Sequence, residues 1–231
     1  MRRSVYTWLG REFVALSAEG RPDLDAGDQA RELFQRLDDE LQGFGLRLNH
    51  TIRTRLWGRD RESRDVGSTE RVKALAGAAR SASSSFIASD FFESDASVGI
   101  ELWALRPGNA ASQKKLVEYD PPSVPLRYLV YDGVVALSGV TAVLPTLDDQ
   151  MADILPRITD SLSHSGVAWD DVVQVAFLMH RSQSLDHLKQ LFANVVDASI
   201  PRLEYGLVDG YSSPGKLVEV EVTAQLGARL A

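Results

Sequence analysis

The chain has 231 residues, 44% apolar and 25% charged, ordinary values for a globular protein and enough for two cores of about 110 to 120 residues each. It contains no cysteine, which removes disulfides, thiol nucleophiles and thiolate metal sites and fits a cytoplasmic setting. The net charge is −7, divided unevenly: residues 1–110 carry 16 Lys+Arg against 17 Asp+Glu, residues 111–231 carry 9 against 15. Neither half has the basic excess with which a nucleic-acid binder neutralises phosphates. No stretch approaches the roughly 20 apolar residues of a membrane span, and the N-terminus has no apolar run of signal length.

Taken in chain order, the first apolar strand, 13–18, leads through a polar loop into a helix. Ala30, Leu33, Phe34, Leu37 and Leu41 keep helical spacing there, with Gly43 and Gly45 as terminators. A strand at 52–57, a helix at about 68–78 and two closing strands follow, the last being Val98-Gly99-Ile100-Glu101-Leu102-Trp103-Ala104. The pattern then restarts. Val14-Ala15-Leu16-Ser17 recurs as Val135-Ala136-Leu137-Ser138, a shift of 121, and the same shift carries Asp28-Gln29 onto Asp149-Gln150, Leu41 onto Leu162 and Gly45 onto Gly166. The second copy predicts a strand at 134–140, then a helix with Met151, Ile154, Leu155, Ile158 and Leu162 on one face. Pro156 falls inside that helix and predicts a kink or a late start. A strand at 172–179, a helix at about 184–197 and strands at 203–208 and 217–225 complete the copy. This reads as an N-terminal domain over 1–108, a linker over 109–125 whose Ser112-Gln113-Lys114-Lys115 and Pro121-Pro122 supply loop chemistry, and a C-terminal domain over 126–231. The order of elements predicts an α+β fold, each copy a mixed sheet with two helices on one face.

An ordered set of pieces in the second copy carries a resemblance. Ser138-Gly139 ends a strand, Asp149-Gln150 opens a helix ending at Ser165-Gly166, Asp170-Asp171-Val172-Val173 opens a strand, and Ile200-Pro201-Arg202 and Leu217-Val218-Glu219-Val220-Glu221-Val222 follow. Over residues 126–226 this resembles the RidA/YjgF reactive-intermediate deaminases, which implies two tandem chorismate-mutase-like domains and assembly as a homotrimer of two-domain chains, with sites in clefts between domains. The resemblance implies that Arg202 grips a substrate carboxylate and Glu219 positions the attacking water, with Ser138, Gly139, Ser17 and Arg80 as substrate contacts. Arg80 stands for the arginine in the first copy. Gly99 falls where the catalytic glutamate belongs, and Glu101 matches Glu221, so the first copy is degenerate. The family's Pro-Tyr-Ser-Gln entry segment is absent.

The implied reaction is cofactor-free hydrolysis of a small enamine or imine bearing a carboxylate. Arginine suits the carboxylate because its planar fork binds two oxygens, and Glu219 can act as a base if burial raises its pKa toward neutrality. Bland readings stand beside these. Arg202 reads as a solvated charge at a strand start, and the alternation of Glu219, Glu221 and Thr223 with valines reads as a strand with one wet face. Ser17 and Ser138 read as turn caps, and Arg80 with its serine neighbours as a polar loop. Arg53, Arg55, Trp57 and Arg59 share one strand face, either an RNA surface or a salt-bridged interface to the acidic second half. The four histidines show no paired metal spacing. Two rival functions remain: a hydrolase like the chorismate-converting enzymes, which resemble a fused pair of such domains, and a non-catalytic binding or assembly protein. The family's endoribonuclease label is disfavoured by the net charge.

Overall fold

A computed structural model describes residues 1–109 and 111–227. The first sheet has the strand order β1-β2-β5-β3-β4: β1 (Arg2–Trp8), β2 (Arg11–Glu19), β3 (Thr51–Gly58), β4 (Ala82–Ile87) and β5 (Val98–Arg106). Helices α1 (Ala26–Gly43) and α2 (Arg61–Ala74) connect its strands. The second sheet runs β11-β10-β12-β8-β7-β6, with β9 also on β12. Its strands are β6 (Lys115–Val117), β7 (Tyr128–Tyr131), β8 (Val134–Leu137), β9 (Val140–Thr141), β10 (Val172–His180), β11 (Arg202–Val208) and β12 (Val218–Gln225). Helices α3 (Leu147–Ser165) and α4 (Leu185–Ala193) belong to this half. In each half the strand pair spanning a helix is parallel, β3 with β4 and β10 with β11, as a helical crossover requires, and the remaining pairings are antiparallel. This is the expected α+β fold, present twice.

Local chemistry explains the element ends. Asp25, Asp60, Thr146 and Ser184 each accept a hydrogen bond from the backbone N–H three residues on, capping the four helices. Gly166 closes α3 with φ 85°, a left-handed conformation that glycine adopts without a Cβ penalty, and its repeat counterpart Gly45 has φ 69°. Pro156 neither delays nor breaks α3, which starts at Leu147. Proline and Ala152, the residue whose carbonyl loses a donor, are both exposed, so that carbonyl is accessible to solvent rather than buried without a partner. Helix α2 starts about two turns before the expected position, because Asp60 caps a stretch too polar to register as amphipathic. Within the segment read as linker, Lys115–Val117 pairs with β7 and is a strand of the second sheet. Strand β1, which no apolar run announces, pairs along its whole length with β2.

The four layers are helices, sheet, sheet, helices. Helix-facing side chains form one core per half, around Leu33, Leu37 and Ile100 in the first and Ile154, Ile158 and Val220 in the second. Between the sheets lie two further apolar clusters, one joining Phe13, Ile52 and Leu105 to Leu129 and Val134, the other joining Trp57 and Phe86 to Leu178 and Tyr211. A charged cluster lies between them. Arg55 donates from Nε and Nη2 to Glu221 (3.0 and 2.8 Å), and Arg53 donates from Nη2 to the Val222 carbonyl (2.9 Å). Arg53 and Arg55 therefore form the salt-bridged interface rather than an exposed RNA surface. The wet face expected of β12 is corrected too: Glu219 and Glu221 are 5% and 2% exposed, because the first sheet covers it.

Burial alone would push the Glu221 carboxyl up, yet the guanidiniums of Arg55 and Arg53 hold it down at about 2, against an ordinary 4.5. Its contribution to stability is thus complete above pH 4.5 and is lost as pH falls toward 2. Removing the charge strands two arginines, so Glu221→Gln is expected to destabilise the chain by about 3 kcal/mol or more at pH 7. Denaturant unfolding at pH 7, 4 and 2.5 checks this: the gap between wild type and variant narrows with acid.

Candidate functional site

Glu219 sits on β12 opposite Leu178 of β10, with its carboxylate turned to the first half of the chain. A Cβ added at Gly139 would lie 1.8 Å from Glu219 Oε1 and 2.5 Å from Ser84 Oγ, so only glycine permits this approach of strand end, carboxylate and hydroxyl. The Ser138 Oγ accepts from Ser83 N (3.2 Å), and Gly139 N donates to Ser83 O (3.3 Å), locking the Ser138-Gly139 turn to β4. Burial raises the Glu219 carboxyl to about 7; the Ser84 hydroxyl, Lys216 and Arg71 oppose the rise, and the Glu221 charge adds to it. Tyr211, whose phenol burial and Glu219 push up, donates its hydroxyl to the Leu178 carbonyl (2.8 Å) behind the site.

The first half contributes cations from α2. Arg64 and Arg71 are 8% and 6% exposed. Arg71 donates from Nη1 to the Ser84 carbonyl and from Nη2 to Ser68 Oγ (3.3 Å), and among the described residues no carboxylate lies within ion-pair distance of it. Burial, with Arg64 adding to it, lowers the Arg71 pKa to about 10. Arg64 donates from Nη2 to Ser85 Oγ (2.7 Å) and pairs with Asp65, while its Nε has no partner. Lys216, its pKa lowered by burial, donates to Ser212 Oγ (2.6 Å). Arg71 and Lys216 are thus the cations acting on the one buried carboxylate, while Arg64 pairs with Asp65; a second anion beside Arg71 would be balanced by its charge.

Arg71 and Ser83 also line a cleft of about 520 Å³ between α2 and residues 118–126. Its apolar wall includes Val72, Leu75, Pro122 and Leu126, and Arg80 and Glu118 form a two-pronged ion pair on its side. Behind Arg80, Lys114 Nζ donates to the Thr51 and Arg80 carbonyls (2.7 and 2.8 Å), and burial lowers its pKa to about 7.

The structure therefore joins Glu219, Ser138 and Gly139, and places Arg80 on the adjoining cleft. Arg202 is not with them. It aligns through Gln174 with Thr223, four residues along β12 from Glu219, and pairs with Glu204 at a side-chain exposure of 55%. Arg202 and Glu219 of one chain do not meet. Strand register also corrects the role given to Arg80: Ala82 faces Arg53 as Arg202 faces Gln174, so Ala82 holds the arginine's position in the first copy. Gly99 does take the place of Glu219, facing Trp57 as Glu219 faces Leu178. A Cβ there would come within 2.3 Å of the Phe91 ring, which stacks on Trp57 at 4.8 Å and fills the space of the missing carboxylate. Ser17 lines a separate hollow with Arg2, Glu19 and Arg36.

Sequence reasoning passed over Arg64 and Arg71. A signal existed: the buried positions of α2 are Ser63, Arg64, Gly67, Glu70 and Arg71, helical spacing occupied by polar residues where an apolar stripe is normal. Among the described residues no group of three or more His, Cys, Asp and Glu is placed to hold a metal, and no helix is long and apolar enough to cross a membrane.

No known protein family and no curated protein matches the sequence. Among solved structures, a chorismatase aligns over 93% of this chain and 74% of its own at 17% identity, with a TM-score of 0.62. A YjgF/YER057c/UK114 family member from Mycobacterium tuberculosis aligns over 49% of this chain and 100% of its own at 21% identity (TM-score 0.45). A Rid family protein from Yersinia pestis aligns over 49% and 99% at 18% identity (TM-score 0.45). The likeness to the chorismatase spans both halves, and the same α+β arrangement occurs twice in the chain.

Because Glu219 in the folded chain holds its proton up to about pH 7 against an ordinary 4.5, folding stability attributable to it falls as pH rises across that window. Glu219→Gln removes the fall. Unfolding midpoints should show the variant gaining on wild type between pH 5 and pH 8, and a constant difference would contradict the assignment.

Proposed function

We propose that the chain hydrolyses a carboxylate-bearing enamine or imine at the Glu219 site, releasing ammonia and a keto acid. The observation that supports this reading is a buried carboxyl poised near pH 7 whose neighbour in charge is Arg71, a buried cation with no carboxylate within ion-pair distance among the described residues. Arg71 receives the substrate carboxylate in place of the absent counter-charge. An enamine first becomes the imine by gaining a proton at carbon and losing one from nitrogen. Ionised Glu219 then removes a proton from a water as the water oxygen bonds to the imine carbon, whose π electrons move to nitrogen. Glu219 returns that proton to nitrogen, giving the neutral carbinolamine, then takes the hydroxyl proton and passes it to nitrogen as the carbonyl forms and the C–N bond breaks, so that nitrogen leaves as ammonia. Imine and one water are consumed, keto acid and ammonia formed, and the glutamate is restored.

One observation favours a second reading. The 520 Å³ cleft, with Arg80 as a further cation, has room for a cyclic dicarboxylate, and the solved structure that aligns over both halves is titled a chorismatase. Chorismate is therefore the second substrate to assay.

The test is ammonia release from imino acids generated in situ. Glu219→Gln should lower kcat/KM about 100-fold, the range of one positioned general base, and should abolish a rate increase centred near pH 7. Arg71→Met should raise KM. Retained turnover in Arg202→Ala agrees with an anchor inside the chain, whereas its loss moves the anchor to Arg202 of a second copy. Undiminished turnover in Glu219→Gln, or no acceleration with any imine, contradicts the reading.

A further inference from the structure

A second cavity, of about 250 Å³, opens between the β1–β2 hairpin of the first half and the start of β11 in the second. Tyr6, Trp8 and Trp103 supply its aromatic wall, Gln174 and Arg202 its rim, and Arg53 its floor. The wall is prebuilt: Tyr6 stacks on Phe13 with ring centres 5.7 Å apart and planes 10° from parallel, Trp8 packs on the same ring at 5.4 Å, and Arg55 lies 5.0 Å over Trp103. None of these contacts belongs to the Glu219 site, which lies at the opposite end of β12.

The floor is chemically unfinished. Arg53 is 6% exposed, and its Nη2 is used by the Val222 carbonyl and Thr223 Oγ1 (2.9 and 3.3 Å). Its Nη1 makes no hydrogen bond; the nearest carboxylate oxygen, Glu221 Oε2, is 3.4 Å away and accepts from Arg55. A buried donor left without an acceptor costs about 1 to 3 kcal/mol, more on a charged group. The Tyr6 hydroxyl and the Gln174 amide likewise make no hydrogen bond among the described residues. The other acids at this cavity are already engaged: Glu204 pairs with Arg202 and Arg55, and Glu101 accepts from Trp57 Nε1 (3.0 Å).

We propose that this cavity is a second ligand site, separate from the Glu219 centre, which takes a small monocarboxylate carrying one aromatic ring. The carboxylate accepts from Arg53 Nη1, with Gln174 and Tyr6 as secondary donors, and the ring lies against Trp8 and Trp103. The volume sets the upper size, since 250 Å³ holds one ring and a short acid arm and falls below the roughly 300 to 1,000 Å³ of sites for larger ligands. The single unsatisfied donor, Arg53 Nη1, sets the number of carboxylates at one.

Calorimetric titration of the full chain with phenylacetate, and with phenylacetamide as the neutral isostere, tests the assignment. The expected result is one phenylacetate per chain, binding at least tenfold tighter than the amide, with tryptophan emission changing in step. Arg53→Met and Trp8→Leu should each weaken phenylacetate at least tenfold, the second serving if the first does not fold. Glu219→Gln should leave binding intact. Absence of binding, equal affinity for the amide, or loss of binding in Glu219→Gln with retention in Trp8→Leu would overturn the proposal, the last by moving the ligand to the other cleft.

Discussion

The Arg55–Glu221 pair, buried between the two sheets, fixes the relation of the two halves and the electrostatics of the candidate site. Two carboxylates stand two residues apart on the same face of β12, both nearly out of water. Glu221 meets the guanidiniums of Arg55 and Arg53 and stays ionised; Glu219, one step further along the face, meets burial first and the Glu221 charge as well, and is pushed the other way. Two like groups are thereby split into a permanent anion and a group that titrates near neutrality, the division of labour that acid–base chemistry needs. The split depends on the interface, for with the sheets apart both glutamates would face water.

The tandem arrangement lets the copies diverge. In the second copy Gly139 lets the buried Glu219 carboxylate approach the end of β8 closely. In the first, Gly99 leaves a gap that Phe91 and Trp57 close, turning that position into interface packing. The first copy instead lends α2 to its partner. Arg64 and Arg71 occupy the helix positions that would bury apolar side chains in an ordinary amphipathic helix, and the charge of Arg71 acts on the second copy's glutamate. The second half supplies the carboxylate and Lys216, and the first half supplies Arg71.

Much of the fold was legible in the sequence because it is governed by local periodicity. The repeat of Val14-Ala15-Leu16-Ser17, the apolar stripes of α1 and α3 and the terminating glycines at 45 and 166 are each set by neighbours within a few turns. Strand β1 was not, since Arg2-Arg3-Ser4-Val5 owes its extended form to pairing with β2 rather than to its own composition. The site was legible in part. Glu219 and Gly139 follow from residue order along the chain, but the valine alternation of β12 implies a wet face, and only the distant first sheet reverses that. The separation of Arg202 from Glu219 is likewise a matter of which strands lie side by side, information that no segment of sequence holds by itself.

The central claim is that Glu219 is a buried carboxyl poised near neutrality, and its titration tests that most directly. Carbon-13 NMR of side-chain carboxyls, with the Glu219 resonance assigned by its disappearance in Glu219→Gln, follows that one group across pH 4 to 9. The account predicts an inflection near pH 7. An inflection near the ordinary 4.5 would contradict it and remove the base from the proposed reaction.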